Sequence, residues 1–320
     1  MDRRTFVGTA AAAVAAACAR ASGVGVLGSN ASVASGSTAP ARLGFSTLGC
    51  PTWSWTQVLD FAQAHGFAGV ELRGIQQVVD LPKLPEFQPD RIEATKRDVA
   101  ARGLSIPNLG ASANLHEMDP AKHEAELAGA RAFIDLAQRL GTPYVRVFGN
   151  KYVAGVPREQ TVAHVARGLR TLGDYAGPRG VMVILETHGD FVDSPTLVEL
   201  MRQADSPNVA LLWDAHHTFA FGNEQPEDTA RAIGKYVRHV HLKDSVPAGK
   251  DRKYVLTGTG EVPVARQIAT LVKMGYTGFY NFEWEKRWHP EIADPEVAFP
   301  QFAEAARRYL RDAGATVIPS

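Results

Sequence analysis

Eight apolar runs, each followed by an amphipathic segment and joined to it through Gly or Pro, fill the chain from Arg42 onward. No other feature narrows the available folds as far. The runs are "RLGFSTL", "AGVELR", "LSIPNLGAS", "PYVRVFG", "VMVILETH", "VALLWDAHH", "YVRHVHLKD" and "GFYNFEWE". Between and after them lie "WTQVLDFAQAHG", "DRIEATKRDVAARG", "KHEAELAGARAFIDLAQRLG", "EQTVAHVARGLRTLGDYA", "SPTLVELMRQAD", "PEDTARAIGKY", "VARQIATLVKMG" and "PEVAFPQFAEAARRYLRDAG", whose apolar residues recur at helical spacing. Several of these segments close on Gly just before the next run, as helix C-termini do. Eight strand–helix units predict an α/β fold, a parallel (β/α)8 TIM barrel over residues 41–320. A doubly wound open sheet would carry a Gly-rich turn after its first strand, and "TLGCPTW" offers none.

The first forty residues stand apart. "MDRRTFVG" is followed by the mild apolar run "TAAAAVAAA" and by Ala19-Arg20-Ala21, a small-residue cleavage pattern. This resembles a twin-arginine export signal over residues 1–21, with Asp2 where Ser or Thr is usual. Residues 22–40 read as a flexible linker, and the expected location is periplasmic or secreted. Lipid attachment at Cys18 is the one membrane contact considered, although Ala15-Ala16-Ala17 is a poor lipobox. Lys plus Arg and Asp plus Glu balance at 34 each, so electrostatic capture of nucleic acid has no global support. Two cysteines, Cys18 and Cys50, exclude a disulfide framework and a Cys-rich metal site.

In such a barrel, chemistry collects where the strands end. Strand two ends in Glu71 and Arg73, strand five in Glu186 and His188, and strand six in Asp214, His216 and His217. Strand seven carries His239, His241 and Lys243, and strand eight ends in Glu283 and Glu285. Period-two alternation puts one member of each set at the mouth. Four adjacent strands then deliver Glu186, Asp214, His241 and Glu283 to one place. Three carboxylates there repel one another unless a cation neutralises them. Three oxygen donors and one imidazole suit a single divalent ion, Mn2+ foremost, with Mg2+, Co2+, Fe2+ or Zn2+ as alternatives. Glu71, Arg146 and Lys243 are expected to touch substrate, the competing readings being ordered water at Glu71, a barrel salt bridge at Arg146 and a rim charge at Lys243. Trp53 and Trp55 either stack on a sugar or roof the barrel. "TGTGEV" reads as a hinged or plain surface loop.

With "GCPTWSW", "GFAGVELR", "YVRVFG", "LETHGD", "WDAHHT", "VRHVHLKD" and "GFYNFEWE" in this order, the chain resembles the xylose-isomerase-like superfamily of sugar isomerases and epimerases, from about residue 42 to 310. The resemblance implies the same four metal ligands, with Glu186 and Glu283 as the acid–base pair and His188 and His217 facing substrate. It implies a sugar isomerase or epimerase working by proton abstraction beside a carbonyl, through an enediolate. The alternative is β-elimination by a lyase or dehydratase on a keto-sugar or 3-keto-glycoside. Either way the partner is a small sugar or glycoside. A periplasmic sugar-binding protein without turnover has no use for an acid–base pair of glutamates. Abasic-site endonucleases of the superfamily need further histidines where this chain has Glu71, "VFGNKY" and "RKYVLTGTGEV".

Overall fold

The computed structural model describes residues 40–317. The expected export signal, Cys18 and all but the last residue of the expected linker lie outside the described residues.

The strands are β1 (Arg42–Ser46), β2 (Gly69–Glu71), β3 (Asn108–Asn114), β4 (Tyr144–Phe148), β5 (Met182–Glu186), β6 (Val209–Asp214), β7 (Val237–Leu242) and β10 (Phe279–Phe282), with a hairpin of β8 (Asp244–Ala248) and β9 (Asp251–Val255) after β7. The eight barrel strands are all parallel and run in the order β2-β1-β10-β7-β6-β5-β4-β3. The bridges Gly69–Ser105 and Leu72–Leu109 close the ring between β2 and β3. The fold is a (β/α)8 barrel.

The helices are α1 (Trp55–Ala64), α2 (Ile92–Ala101), α3 (Pro120–Leu140), α4 (Arg158–Ala176), α5 (Ser194–Ala204), α6 (Ala215–Ala220), α7 (Pro226–Ile233), α8 (Val264–Lys273) and α9 (Pro295–Asp312). Local chemistry sets their ends. Ser54 and Gln57 form a reciprocal capping box on α1. The Asp119 carboxylate accepts from the first turn of α3, and Gly141 ends that helix at φ 75°. Outward strand residues pack on the helices; the Phe282 ring stacks on Phe302 of α9 with centroids 4.4 Å apart.

Inside the barrel the chemistry changes with height. Near the strand N-termini, Ile184, Ala210 and Leu212 form a small apolar plug with Tyr144 and Met182. Above it the interior is polar and closed to solvent, with Glu71, Asn108, Arg146, His239, His241 and Asn281 all buried.

Two features depart from the sequence reading. The segment after β7 forms the β8–β9 hairpin where a loop was expected. Strand six ends at Asp214, and "AHHTFA" turns into α6 with Asp214 as its N-cap. Alternation along a strand therefore does not apply to His216 and His217. Trp53 and Trp55 are packed against Phe61, Phe299 and Phe87, in the roofing role.

Candidate metal centre and active site

Neighbouring strands bring Glu186 from the end of β5, Asp214 from the end of β6, His241 from β7 and Glu283 from the residue after β10 to one level. The register pairs Asp214 with His241 and His241 with Asn281. One donor atom from each of the four groups lies within 4.8 Å of the others, and all four residues are buried. His241 Nδ1 is 3.3 Å from Glu283 Oε1, 3.8 Å from Glu186 Oε1 and 3.9 Å from Asp214 Oδ2. Donors about 2.1 Å from one ion stand roughly 3.0 Å apart at right angles and about 4.2 Å apart when opposed. The spacing fits. So does the bonding, because His241 Nδ1 is buried and has no hydrogen-bond partner.

Two cations hold the acids in place. Lys243 Nζ lies 2.5 Å from Asp214 Oδ2, touches Glu283 Oε2 and stands 3.2 Å from Glu285 Oε1. Arg146 Nε lies 3.3 Å from Glu186 Oε2, and its guanidinium covers the Phe148 ring at 3.9 Å. Gly110 makes that possible, since a Cβ there would meet Arg146 Nη2 at 2.7 Å. Both cations are sealed from solvent. Neither faces the cleft, so the expected substrate contacts at Arg146 and Lys243 give way to internal ion pairs.

Glu71 departs from its expected place as well. It sits beneath the four-group cluster, wholly buried, with Oε2 accepting from His239 Nε2 at 2.8 Å and His241 Nε2 at 2.9 Å. Asn108 and Asn281 donate to the same oxygen at 3.1 and 3.4 Å. A carboxylate closed over in this way does not reach substrate.

His188 and His217 do reach the open side. They line a cleft of about 820 Å3 together with Tyr152, Phe221, Tyr254 and Glu285, among others. The two rings meet edge to face at 5.0 Å. His217 Nδ1 is 3.0 Å from the Thr187 carbonyl oxygen, which only accepts, so Nδ1 carries the hydrogen. In the neutral ring Nε2 is then an acceptor for a hydroxyl. Another cavity, about 430 Å3, lies at the opposite end of the barrel and is lined by Arg42, Lys96 and Arg238 with no carboxylate. His239, whose ring centroid is 5.8 Å from that of His241, also lines it.

The electrostatics follow from burial and these pairs. Burial raises the Glu186 carboxyl, but Arg146 and His241 outweigh it and hold it below its usual value. Against the same upward push, His241 and Lys243 keep Glu283 well below the carboxylate range. Burial leaves Asp214 at about 6 despite Lys243, and Glu285 at about 7 despite the same ammonium. Burial disfavours the His241 imidazolium, yet Glu283 and Glu71 raise it well above its usual value. His188 and His217 are pushed down by burial first, with Lys243 adding to the effect.

Two residues of the site were given no role from the sequence. Glu285, named there among the ends of strand eight, lines the cleft two positions beyond Glu283 on the same period-two face. Asp244 is buried, and its carboxylate accepts from the backbone of Ser245, Gly258, Gly260 and Val262 at 2.8–3.1 Å. The "TGTGEV" loop is thus pinned through its backbone, and Gly260 lies where a Cβ would collide with that carboxylate. No local pattern announces this cage.

Comparison with known proteins agrees with the geometry. Residues 59–312 match the family model described as xylose isomerase-like TIM barrel. An inosose dehydratase of Bacillus anthracis is 27% identical over 186 residues, which cover 52% of this chain and 59% of the relative. A 3-dehydroshikimate dehydratase of Bacillus anthracis is 24% identical over 195 residues, covering 60% of this chain and 66% of that protein. The chain thus spans about three-fifths of the length of the first of these relatives. Among solved structures, the IOLI protein with a bound zinc atom superposes with a TM-score of 0.69 at 18% identity, covering 85% of this chain and 97% of that one.

Proposed function

The chain belongs to the xylose isomerase-like TIM barrel family, and on that premise we propose that it is a divalent-metal-dependent lyase acting on a small polyhydroxylated carbonyl compound of the keto-sugar or keto-glycoside type. One observation carries the reading: Glu186, Asp214, His241 and Glu283 converge in a buried cluster at the floor of a cleft that His188, His217 and Glu285 line. The dehydratase activities named for the relatives favour elimination over rearrangement.

Those four residues would hold the ion. Bound there, it would supply the Lewis acidity that polarises a substrate carbonyl and so makes the adjacent C–H bond more acidic. Glu186 or Glu283 takes that proton. The released electron pair forms a C=C bond conjugated to the carbonyl, and the C–O bond at the next carbon breaks. The departing oxygen takes a proton from Glu285, which faces the cleft and whose carboxyl burial raises to about 7, and leaves as water or an alcohol. His217 Nε2 accepts from a substrate hydroxyl and fixes the ring's orientation.

A second reading shares the first step. Glu186 and Glu283 approach the cluster from separate strands, which suits return of the proton to a neighbouring carbon or to the opposite face, as in an isomerase or epimerase. Products distinguish the two. Metal-loaded protein is incubated in D2O with a panel of keto-sugars and 3-keto-glycosides and followed by NMR. Loss of water or alcohol with formation of an unsaturated ketone supports the lyase; deuterium exchange with the skeleton retained supports the isomerase. Conversion with neither exchange nor elimination removes both. The proposed export is checked by cell fractionation and by an N-terminus of the mature protein near Ser22.

A further inference from the structure

We infer that Glu71, with His239 behind it, is the positioning carboxylate of the site: it fixes the ring of His241 so that Nδ1 faces the three acids above. The inference rests on the proposed reading only for its consequence on metal binding. Its basis is geometric. Glu71 ends β2, yet its Oε2 crosses the barrel interior to His241 Nε2 on β7 at 2.9 Å. His239, two residues earlier on the same strand, places its own Nε2 2.8 Å from that oxygen. An ionised carboxylate only accepts, so both Nε2 atoms carry hydrogen.

With its Nε2–H committed downward, His241 has Nδ1 left for the cluster, and that atom has no hydrogen-bond partner. Asn108 from β3 and Asn281 from β10 donate to the same carboxylate oxygen. Glu71 is therefore tied to β3, β7 and β10 at one level. It cannot swing up to join the cluster without abandoning four donors in a region closed to water. His239 makes this tether stiff, because a second imidazole on the same oxygen leaves the carboxylate one position in which all its donors are met. A histidine that presents one nitrogen to a metal commonly gives the other N–H to such a carboxylate, and the partner's loss weakens metal binding by about 10–100-fold.

The test uses the full chain, wild type against Glu71→Gln, His239→Gln and His239→Phe, with calorimetric titration of Mn2+ and proton NMR of the imidazole N–H signals in the Zn2+-loaded and metal-free proteins. Glu71→Gln keeps the shape and one acceptor oxygen but removes the charge, and is expected to weaken Mn2+ binding by at least about 10-fold. His239→Gln, whose amide offers a donor near the lost Nε2, is expected to stay close to wild type, whereas His239→Phe weakens binding. The downfield, slowly exchanging ring N–H protons of wild type should include those on His239 Nε2 and His241 Nε2, and these two should move upfield in Glu71→Gln. Merely structural packing would leave those two protons in place. Unchanged Mn2+ affinity and unchanged ring protons in Glu71→Gln overturn the inference. So do two Mn2+ ions per wild-type chain with one lost in His239→Phe, because Glu71 would then be a ligand itself. If wild type binds no Mn2+ while the ring protons respond as described, the metal reading fails and the tether stands.

Discussion

Lys243 Nζ lies 2.5 Å from Asp214 Oδ2, an ion pair with no exposure to solvent at either end. The same ammonium touches Glu283 and faces Glu285, so one lysine stands among three acids. Breaking a buried pair by removing one partner typically costs about 3–5 kcal/mol, because a desolvated charge is left alone. Lys243→Met should lower the stability of the metal-free protein by about that much in urea unfolding, and saturating Mn2+ should restore part of the loss. Equal stability of wild type and variant without metal would show that the lysine is not compensating the acids.

Metal analysis of the purified protein should find about one divalent ion per chain, and Asp214→Ala should lose most of it. Glu283 and Glu71 raise the His241 imidazolium above its usual value against the opposing effect of burial, and a metal ligand must be deprotonated, so binding should displace a proton from Nδ1. Titration in buffers of different ionisation enthalpy should report release of about one proton per ion near pH 7. A buffer-independent binding heat would contradict the arrangement.

Glu285 ties stability to pH. Its folded value of about 7 lies above the 4.5 of an unperturbed glutamate. A raised carboxyl stabilises the fold below its unfolded pKa, and that contribution disappears as pH rises through the folded value. Stability of the metal-free protein should therefore fall between pH 4.5 and 7 on this account. The full linkage is about 3 kcal/mol, since each pKa unit corresponds to about 1.4 kcal/mol. Glu285→Gln should remove that slope, gaining on wild type at pH 8 relative to pH 5. Parallel stability curves for the two proteins would refute it.

Asp244 acts at a distance from the chemistry. Its carboxylate gathers four backbone N–H groups and so shapes the loop from Leu256 to Val262 and the base of the β8–β9 hairpin, which presents Tyr254 to the cleft. Asp244→Ala leaves those donors without their acceptor, at a cost of about 1–3 kcal/mol for each one that stays buried. Faster amide hydrogen exchange confined to residues 256–262 and a lower kcat/KM are expected, with Mn2+ affinity unchanged. Uniform exchange protection in the variant would assign the loop's order elsewhere.

Local pattern carried a large part of this protein. Apolar runs of strand length, helical spacing between them and Gly at the joins specify eight repeating units. The two-residue period of a strand then assigns Glu186, His241 and Glu283 to a common inward face. Those properties belong to a few consecutive residues, and so they can be read one segment at a time. Asp214 was legible for a related reason, being the first charge after five apolar residues.

Height within the barrel and the choice of partner were different matters. Glu71 and His241 are 170 residues apart in the chain, yet share a hydrogen bond. Alternation says that Glu71, Arg146 and Lys243 point inward, but not whether each stops below the cluster, beside it or in the open cleft. Strand stagger and the long reach of these side chains decide that, and both follow from closure of the ring. Chain order alone determined the barrel and the kinds of group gathered at its mouth. Only the closed tertiary structure decided which charges meet substrate and which are spent on one another, because a desolvated charge takes whatever partner the packed interior brings within bonding distance.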